Sequence, residues 1–413
     1  MSPPGHHIRH LLPVFVDALL AAMGADADAG VLAATAACER AAAEALAASG
    51  WSSGVGALAA VRDEYADWYF RVTKSDHLDK LKGKMKRICD KSGIVKRYFH
   101  HTEELIDGHP ELLDRTQPSL GTRLAIARDA VAELAAAAAS KAIAEWGRPA
   151  ADVTHLVIST NSGSGSPGAD LRLAALLGLR PTVQRTLLYF HGCAAGSNNP
   201  VARVLAVSVD ATVLAFREPN ASHLDALVAM ALFGDGAGAA VVGAGPAASG
   251  ERPVFRMVAA AQATLHGAEH AVGLKLSENG LDFYMSAEMP ALVGGSIERC
   301  LADVLAPLGL AAGGLNGLFW AVHPGGPAIL DSYQAALGLE PRKLAASRRV
   351  LSEHGNMLGA TIFFVLDEMR HRRCRGGSEE ERESCEWGVM LGLGPGITVE
   401  MMVLQAADSQ DED

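Results

Sequence analysis

Four apolar runs in the middle of the chain constrain its fold more than any other feature. They are Val153–Thr160, Arg185–Phe190, Arg203–Phe216 and Ala237–Ala244, and each is composed mainly of β-branched, aliphatic, aromatic or small residues. Strands that are buried on both faces of a sheet have such nearly continuous apolar runs, because helices cover both faces. The runs therefore predict a mixed α/β sheet.

Helices and further strands are predicted around these runs. Apolar residues recur at three- and four-residue steps over Arg123–Trp146, which predicts a long helix, and Lys80–Lys91 is predicted as a basic helix. The second half is predicted to contain strands at Pro253–Leu265 and Gly317–Val322, helices at Ala291–Leu308 and Met357–Arg373, and a hairpin at Gly388–Leu404. Glycine-rich turns at 234–238 and 392–396 each precede a β run, which indicates an internal duplication. We expect two similar α/β halves around one site.

Bulk composition excludes several classes of protein. With 413 residues, 49% apolar and 20% charged, the chain has the balance of a soluble globular protein of one large or two medium domains. Its net charge of −11 opposes general binding to nucleic acid or anionic membranes. The six cysteines form no CxxC pair and no metal-spaced group, so we expect no metal site, no disulfide framework and a reducing compartment. No apolar run approaches the roughly 18 residues of a membrane span.

Three residues are candidates for catalysis. Cys193 follows an apolar strand and precedes small residues, so its thiol can lie at a helix N-terminus, where positive partial charge favours the thiolate. His323 follows another apolar strand, and Asn356 precedes an apolar helix. Taken singly, they also fit a buried structural cysteine, a satisfied core histidine and a helix N-cap. Together they predict a nucleophile, a histidine that stabilises its thiolate, and an amide that helps to bind a thioester oxyanion.

The chain is predicted to divide into four segments. Residues 1–60 form an alanine-rich extension with two weak helical segments at most, whose order the sequence leaves open. Residues 61–250 form the half that contains the cysteine, and residues 251–405 form the half that contains the histidine and the asparagine. Residues 406–413 form an acidic tail.

The segments around the three candidates resemble one family. GCAAG, LFGDGAGAAVVG, FWAVHPGGPAILD, GNMLGATIFFVLDEMR and GLGPGITVE occur in the order, and nearly the spacing, of the chalcone and stilbene synthase superfamily. The resemblance extends from about Glu64 to Leu404 and includes CDKSGIVKRYFHHTEE and STNSGSGSPGADLRLAALLGLRP. The chain is therefore similar to the type III polyketide synthases.

This resemblance implies a fold, an assembly and a reaction. The implied fold is the α/β thiolase-like fold, with two duplicated βαβαβαββ-type halves packed as a layered α/β/α/β/α structure, in a cytoplasmic homodimer. Cys193 would accept the acyl group of a CoA starter, which malonyl-CoA extends by decarboxylative condensation. His323 would polarise the thiol and, with Asn356, stabilise the enolate and the tetrahedral oxyanion. No metal and no cofactor besides the CoA thioesters is implied, because loss of carbon dioxide supplies the carbanion.

The resemblance also implies a binding surface for coenzyme A. Lys84, Arg87 and Lys91 match the family's basic contacts with the CoA phosphates, and Ala328 is assigned to the same site. Their three- and four-residue spacing places the basic residues on one side of the predicted helix. Without the resemblance, the same three residues would be a solvated helix face.

Further positions match the family's substrate cavity. Phe233 and Phe283 match two gatekeeping aromatics between the CoA tunnel and the cavity, although sequence patterns alone would place both in the core. The other cavity-lining positions are Asn161, Ser162, Ala215, Ala229, Leu274 and Leu358. Four of them, Asn161, Ala215, Leu274 and Leu358, differ from the residues that chalcone synthases prefer, which argues against naringenin chalcone as the product.

Three stretches of sequence bear on the starter. Residues 268–286 and 366–373 resemble cereal alkylresorcinol synthases, and residues 141–163 are shared by those enzymes and by cereal curcuminoid synthases. We therefore expect a fatty acyl-CoA starter that gives an alkylresorcinol or pyrone, with a cinnamoyl-type starter second.

Three departures from the family keep other functions open, and one of them is SGWSSGVGALAAVRDEY in place of the family's AIGTANP-like N-terminal strand. GSNNP leads almost directly into VARVLAVSVD after Cys193, so about ten residues of a family helix are missing. Ser166 occupies the position of a methionine that reaches into the partner's cavity in the family. One alternative is a catalytically impaired paralogue that acts as a dimer partner or binding protein. Another is a condensing enzyme that uses acyl carrier protein, which the basic helix and the GLGPG hairpin disfavour.

Overall fold

A computed structural model describes residues 30–33, 58–189, 202–243, 251–374 and 384–407. The helices in these segments are α1 (Arg62–Val72), α2 (Asp79–Ser92), α3 (Glu103–Gly108), α4 (Leu120–Trp146), α5 (Ala169–Leu176), α6 (Leu224–Leu232), α7 (Met289–Leu305), α8 (Pro327–Ala336), α9 (Ala345–His354) and α10 (Thr361–Cys374). The strands are β1 (Gly30–Ala33), β2 (Leu58–Val61), β3 (Lys96–Phe99), β4 (His155–Thr160), β5 (Gln184–Tyr189), β6 (Arg203–Asp210), β7 (Gly236–Gly243), β8 (Phe255–Thr264), β9 (Val272–Ser277), β10 (Gly280–Met285), β11 (Phe319–Val322), β12 (Trp387–Gly394) and β13 (Thr398–Ala406). Among the described residues, no helix has the length and apolar composition that crossing a membrane requires.

One mixed sheet of nine strands organises the described part of the chain, in the order β11-β12-β13-β8-β1-β7-β6-β4-β5. At one end, β5, β4 and β6 are parallel and β7 is antiparallel to β6. At the other end, β11 and β12 are parallel and β13 is antiparallel to β12. Each end of the sheet therefore has parallel strands followed by an antiparallel one, and β1 pairs with both β7 and β8 between them.

Helices bury the central strands of the first half, whereas the edge strand β5, predicted as a buried strand, is only partly buried because it has one strand neighbour. Every residue of β6 and β7 is buried, as their nearly continuous small and apolar composition predicts. Helix α4 packs against β6 and β7, and α10 packs against β7 and β11. The face that α4 buries is formed mostly by alanines, whose small side chains allow close packing, and the helix ends at Gly147 with φ 76°.

A two-stranded hairpin of β9 and β10 lies outside the main sheet. Its register places Leu274 directly opposite Phe283. The carbonyl of Glu278 in its turn accepts hydrogen bonds from the backbone N–H groups of Ser119 and Leu120, at 3.0 and 2.9 Å. The turn thereby satisfies backbone donors at the start of α4, which a helix N-terminus otherwise leaves without partners.

The elements predicted from the sequence agree in type with those observed, and two of them differ by four or more residues at one end. The strand predicted to reach Phe216 ends at Asp210, because the chain then forms a 3-10 turn at Thr212–Leu214. The helix predicted from Met357 begins at Thr361, because Leu358 has a left-handed backbone (φ 53°) that cannot continue a helix.

The described residues of the alanine-rich extension, 30–33 and 58–60, lie in strands, which the sequence did not predict. Strand β1 pairs with two neighbours in the main sheet, and β2 pairs antiparallel with β3. Hydrogen bonding to neighbouring strands outweighs the helical preference of alanine at these positions.

Candidate active site

His323 lies immediately after β11, in the Pro-Gly-Gly turn that leads to α8. Its backbone N–H donates to the Leu391 carbonyl at 2.8 Å, and its carbonyl accepts from Gly325 N–H at 3.0 Å. A Cβ added to Gly325 would lie 3.8 Å from the imidazole Cδ2, so the ring lies beside this glycine. The backbone is fixed on both sides, while the side chain remains half-buried.

The protein environment keeps the His323 imidazole neutral. Burial lowers its pKa from the ordinary 6.5 to about 4. The ring forms no hydrogen bond with the described residues. A neutral imidazole offers one acceptor, which can take a proton from a thiol, and one N–H donor.

Asn356 lies beside the histidine turn with a fixed side-chain orientation. Its Nδ2 donates to the Gly325 carbonyl at 3.1 Å, and its Oδ1 accepts from the Leu358 N–H at 2.9 Å. Because the two backbone groups have opposite polarity, they distinguish the two ends of the amide. The second Nδ2–H has no acceptor among the described residues. The N-cap alternative is realised in part, since Oδ1 does stabilise the turn that precedes α10.

The backbone of Asn356 is joined to a gatekeeper position. Its N–H donates to the Leu232 carbonyl at 2.9 Å, and its carbonyl accepts from Gly234 N–H at 3.0 Å, so it forms a bridge with Phe233. The buried Arg97 donates to the Phe233 carbonyl at 3.0 Å. Gly355, with φ 71°, makes this approach possible, because a Cβ there would lie 2.7 Å from Arg97 Cδ.

The two predicted gatekeeper aromatics are in contact. The ring centroids of Phe233 and Phe283 are 4.9 Å apart and the rings are nearly perpendicular, at 89°. This edge-to-face geometry is favourable for aromatic pairs. Ala229 lies in the same apolar cluster, and Ala215 and Leu358 pack against it. Five of the predicted cavity positions therefore share one region with Asn356, the predicted oxyanion donor, and Leu274 adjoins this region as the strand partner of Phe283.

The predicted positions Asn161 and Ser162 are linked to this region by a buried carboxyl group. Asp210, at the end of β6, accepts from Asn161 N–H at 2.6 Å and from Ser162 Oγ at 3.0 Å, and the Gly359 N–H also donates to it. Burial raises the pKa of Asp210 to about 7, although these donors oppose the rise. One carboxyl group thus connects the loop after β4 with the turn that carries Leu358.

The basic helix α2 packs against α6, which ends at the gatekeeper Phe233. Lys82 and Lys86 both form ion pairs with Asp67 at 2.8 Å. Within the part of the chain that the structure describes, Lys84, Arg87 and Lys91 form no ion pair. Arg87 and Lys91 are exposed and Lys84 is half-buried, so the three predicted CoA contacts retain unneutralised charge.

Other predicted residues are only partly open to description. Ala328 is exposed in the first turn of α8, directly after the histidine turn. Cys193 and the shortened segment that follows it lie outside the described residues. Among the described residues, no group of three or more His, Cys, Asp or Glu side chains is arranged to hold a metal ion.

Sequence reasoning missed three buried charged residues of this region. They are Arg97, Asp210 and Arg217, which hold Phe233, the Asn161 loop and the β9–β10 hairpin. Asp210 does have a signal in the sequence, because a carboxylate that ends a fully apolar strand must find donors where the strand ends. The two arginines have no comparable signal, because their partners are mostly backbone carbonyls distant in the sequence.

The comparisons with known proteins identify the family of the chain. Residues 33–246 match the family model described as chalcone and stilbene synthases, N-terminal domain, and residues 256–408 match its C-terminal domain. A bisdemethoxycurcumin synthase of Oryza sativa subsp. japonica is 52% identical over 361 residues, which span 84% of this chain and 88% of that protein. The chain belongs to the chalcone and stilbene synthase family and is a type III polyketide synthase, an acyltransferase.

Proposed function

We propose that the enzyme condenses an aryl-CoA starter of the cinnamoyl type with malonyl-CoA, through an acyl group carried on Cys193, to form a diketide-CoA that a second aryl-CoA unit converts to a curcuminoid. The fixed Asn356 amide beside the His323 turn carries the catalytic part of this proposal. The 52% identity with a bisdemethoxycurcumin synthase supports the starter, which was the second choice from sequence.

The first step is transfer of the starter to the cysteine. The neutral His323 takes the proton of the Cys193 thiol, and the thiolate attacks the thioester carbonyl. The C–S bond to coenzyme A breaks, and the departing thiolate takes the proton back from the imidazolium. Donors from His323 and the free Nδ2–H of Asn356 stabilise the oxyanion while it exists.

The second step is extension. Malonyl-CoA loses carbon dioxide, and the electron pair of the broken C–C bond forms an enolate whose oxygen lies at the same donors. The enolate carbon attacks the Cys193 thioester and releases the cysteine thiolate. No further cofactor enters this proposal, because decarboxylation supplies the carbanion. The unpaired charges of Lys84, Arg87 and Lys91 bind the phosphates of coenzyme A, and Ala328 lies at the same site.

A fatty acyl-CoA starter is the second candidate. It is favoured by the resemblance of residues 268–286 to alkylresorcinol synthases. This segment is the β9–β10 hairpin with Leu274 and Phe283, so it forms a wall of the proposed cavity. The catalytically impaired paralogue is not favoured by the family matches.

We also propose an oligomeric state, a compartment and an origin of the two halves for this enzyme. The enzyme acts as a homodimer, and it acts in the cytoplasm. The two ends of its main sheet derive from a duplication, and the two halves of the chain are layered as in the thiolase fold. The repeated pattern of parallel strands followed by an antiparallel one supports the duplication.

The test is turnover of the purified full chain with radiolabelled malonyl-CoA and two series of starters, cinnamoyl-type and long-chain acyl-CoA. We expect labelled product with the cinnamoyl-type starters that disappears in Cys193→Ala. Cys300→Ala is the matched control, because Cys300 is buried in the core around α7 and burial raises the pKa of its thiol. Product from acyl-CoA alone would select the second candidate. No product from folded protein would overturn the catalytic proposal.

A further inference from the structure

Arg217 joins two walls of the proposed cavity. It follows the 3-10 turn at Thr212–Leu214 and is only 5% exposed. Its Nε donates to the Ala215 carbonyl at 3.2 Å, on one wall. Its Nη2 donates to the Leu281 carbonyl at 2.9 Å, and its Nη1 pairs with Asp282 at 2.5 Å, both on the β9–β10 hairpin. A single guanidinium thus spans the gap between the wall and the hairpin.

The wall on which Arg217 lies is held rigidly. Asp235 accepts from the N–H and the hydroxyl of Thr212, both at 2.6 Å. The buried Arg123 donates to the carbonyls of Val213 and Phe216, at 2.6 and 2.7 Å. Tyr69 donates from its hydroxyl to the Arg217 carbonyl at 2.7 Å. These contacts fix the segment from which the guanidinium reaches out.

The hairpin is attached at its ends by backbone hydrogen bonds. Its turn is bound at the start of α4 through Glu278, as described above. At the other end, Ser286 N–H donates to the Ala271 carbonyl at 2.7 Å, and Gly396 N–H donates to the Val272 carbonyl at 2.8 Å. Between these attachments lies the pair that faces the site, Leu274 opposite Phe283. Arg217 contacts the hairpin at the two residues directly before Phe283.

We propose that Arg217 is a specificity-determining positioning residue, which sets the separation between the Ala215 wall and the Leu274–Phe283 wall and thereby limits the length of the starter. This inference rests on the proposed function, since it assigns a role to the cavity of that reaction. Without the guanidinium, the middle of the hairpin is free to move away from the wall while its ends remain attached. The cavity then widens, and kcat/KM for long starters rises relative to kcat/KM for short starters.

The test compares kcat/KM over a graded series of acyl-CoA starters for wild type, Arg217→Met, Arg217→Lys and Asp282→Asn. We expect Arg217→Met to raise the ratio of kcat/KM for long over short starters by about tenfold, within the range that cavity contacts of one methylene give. Arg217→Lys keeps the charge but loses the planar guanidinium that donates in several directions at once. Its ratio is therefore expected to lie between those of wild type and Arg217→Met. Asp282→Asn removes the charge of the half-exposed ion pair but keeps the hydrogen bonds of Arg217 to the Ala215 and Leu281 carbonyls. It therefore tests how much the ion pair alone contributes to holding the hairpin.

Arg348→Met is the matched control, because it removes an arginine that pairs with Asp331 at 2.7 Å between α8 and α9. Its ratio is expected to equal that of wild type. An equal loss for every starter in Arg217→Met would mean a purely structural role and would overturn the inference.

Hydrogen exchange of the backbone amides of residues 272–285 gives a readout that does not depend on turnover. We expect faster exchange in Arg217→Met than in wild type, and unchanged exchange would also contradict the inference. If wild type shows no product that depends on Cys193 with any starter, the proposed function fails, whereas the exchange result still decides whether Arg217 holds the hairpin.

Discussion

At the scale of single residues, the site depends on how backbone groups orient polar side chains. Asn356 is the clearest case, because a carbonyl and an N–H bind opposite ends of one amide. The sequence identified this residue through its surrounding motif. It did not identify the two backbone partners, since one of them lies 31 residues away at Gly325.

Replacing Asn356 with Asp tests the amide donor. The change preserves shape but places a carboxylate oxygen against the Gly325 carbonyl and removes the free Nδ2–H. We expect kcat to fall by about 10²–10³-fold, the usual effect of losing one oxyanion donor. Turnover with saturating malonyl-CoA measures it.

Asn316→Asp is the matched control for this change. The Asn316 amide is also held by two backbone groups, the Gly338 carbonyl and the Glu340 N–H, both at 2.9 Å, but it lies in another loop. Its turnover is expected to match that of wild type. A similar loss in both variants would contradict a catalytic role for the Asn356 donor.

His101 shows the opposite situation, a buried polar side chain without hydrogen bonds. It is 1% exposed among Phe99, Phe216 and Trp68, and neither ring nitrogen has a partner within the described residues. Burial lowers its pKa from 6.5 to about 3. The unfolded chain therefore binds a proton below about pH 6.5 that the folded chain rejects, so stability is lost as the pH falls from 6.5 towards 3.

His101→Phe is expected to stabilise the protein. Removal of the unpartnered imidazole gains about 1–3 kcal/mol in the free energy of unfolding at pH 7.5. At pH 5 the advantage over wild type grows by about 2 kcal/mol, because only wild type loses stability through this histidine. Urea unfolding at the two pH values measures both effects. An advantage that does not change with pH would contradict the buried neutral imidazole.

At the scale of elements, the β9–β10 hairpin shows what the sequence contained but pattern reasoning missed. Residues 272–285 alternate in burial only weakly, so no strand was predicted there. Asn279-Gly280 between two short runs is nevertheless a typical signal for a hairpin turn. The long helix α4 and the buried strands were predicted because their apolar patterns are strong, whereas a half-exposed hairpin provides little hydrophobic contrast.

Gly280→Ala tests how closely the hairpin approaches the Ala215 wall. Gly280 has φ 108°, and a Cβ there would lie 2.3 Å from the Leu214 carbonyl oxygen. Gly267 has φ 82° with nothing within 4 Å of its added Cβ, so Gly267→Ala bears the backbone strain alone. We expect both variants to lose stability, with Gly280→Ala losing more by at least about 1 kcal/mol. Thermal unfolding measures the difference, and equal losses would exclude the close approach.

At the scale of the whole molecule, one short strand joins the two ends of the main sheet. Strand β1 hydrogen bonds to β7 on one side and to β8 on the other. The sequence predicted the strands of each half from their own apolar runs. It did not predict β1, because four residues of small and apolar character carry no periodic signal and the pairing depends on residues more than 200 positions away.

Two truncations test this role of β1. Removal of residues 1–34 deletes the strand and leaves the facing edges of β7 and β8 unpaired, which favours aggregation. Removal of residues 1–27 leaves the strand in place. We expect a lower midpoint of thermal unfolding and poorer solubility only for the longer truncation. Identical behaviour of the two proteins would show that β1 is dispensable.

The division of basic side chains on α2 into paired and unpaired sets determines how the enzyme responds to ionic strength. A chain with net charge −11 repels polyanionic coenzyme A at long range, and in the proposed binding mode the face of α2 that carries Lys84, Arg87 and Lys91 attracts it nearby. At 0.15 M salt the screening length is about 8 Å, so neither effect reaches far beyond contact. Added salt should therefore raise KM for malonyl-CoA, because it screens the attraction between this face and the phosphates. Lys82 and Lys86 should contribute little to this salt dependence, because Asp67 already neutralises them.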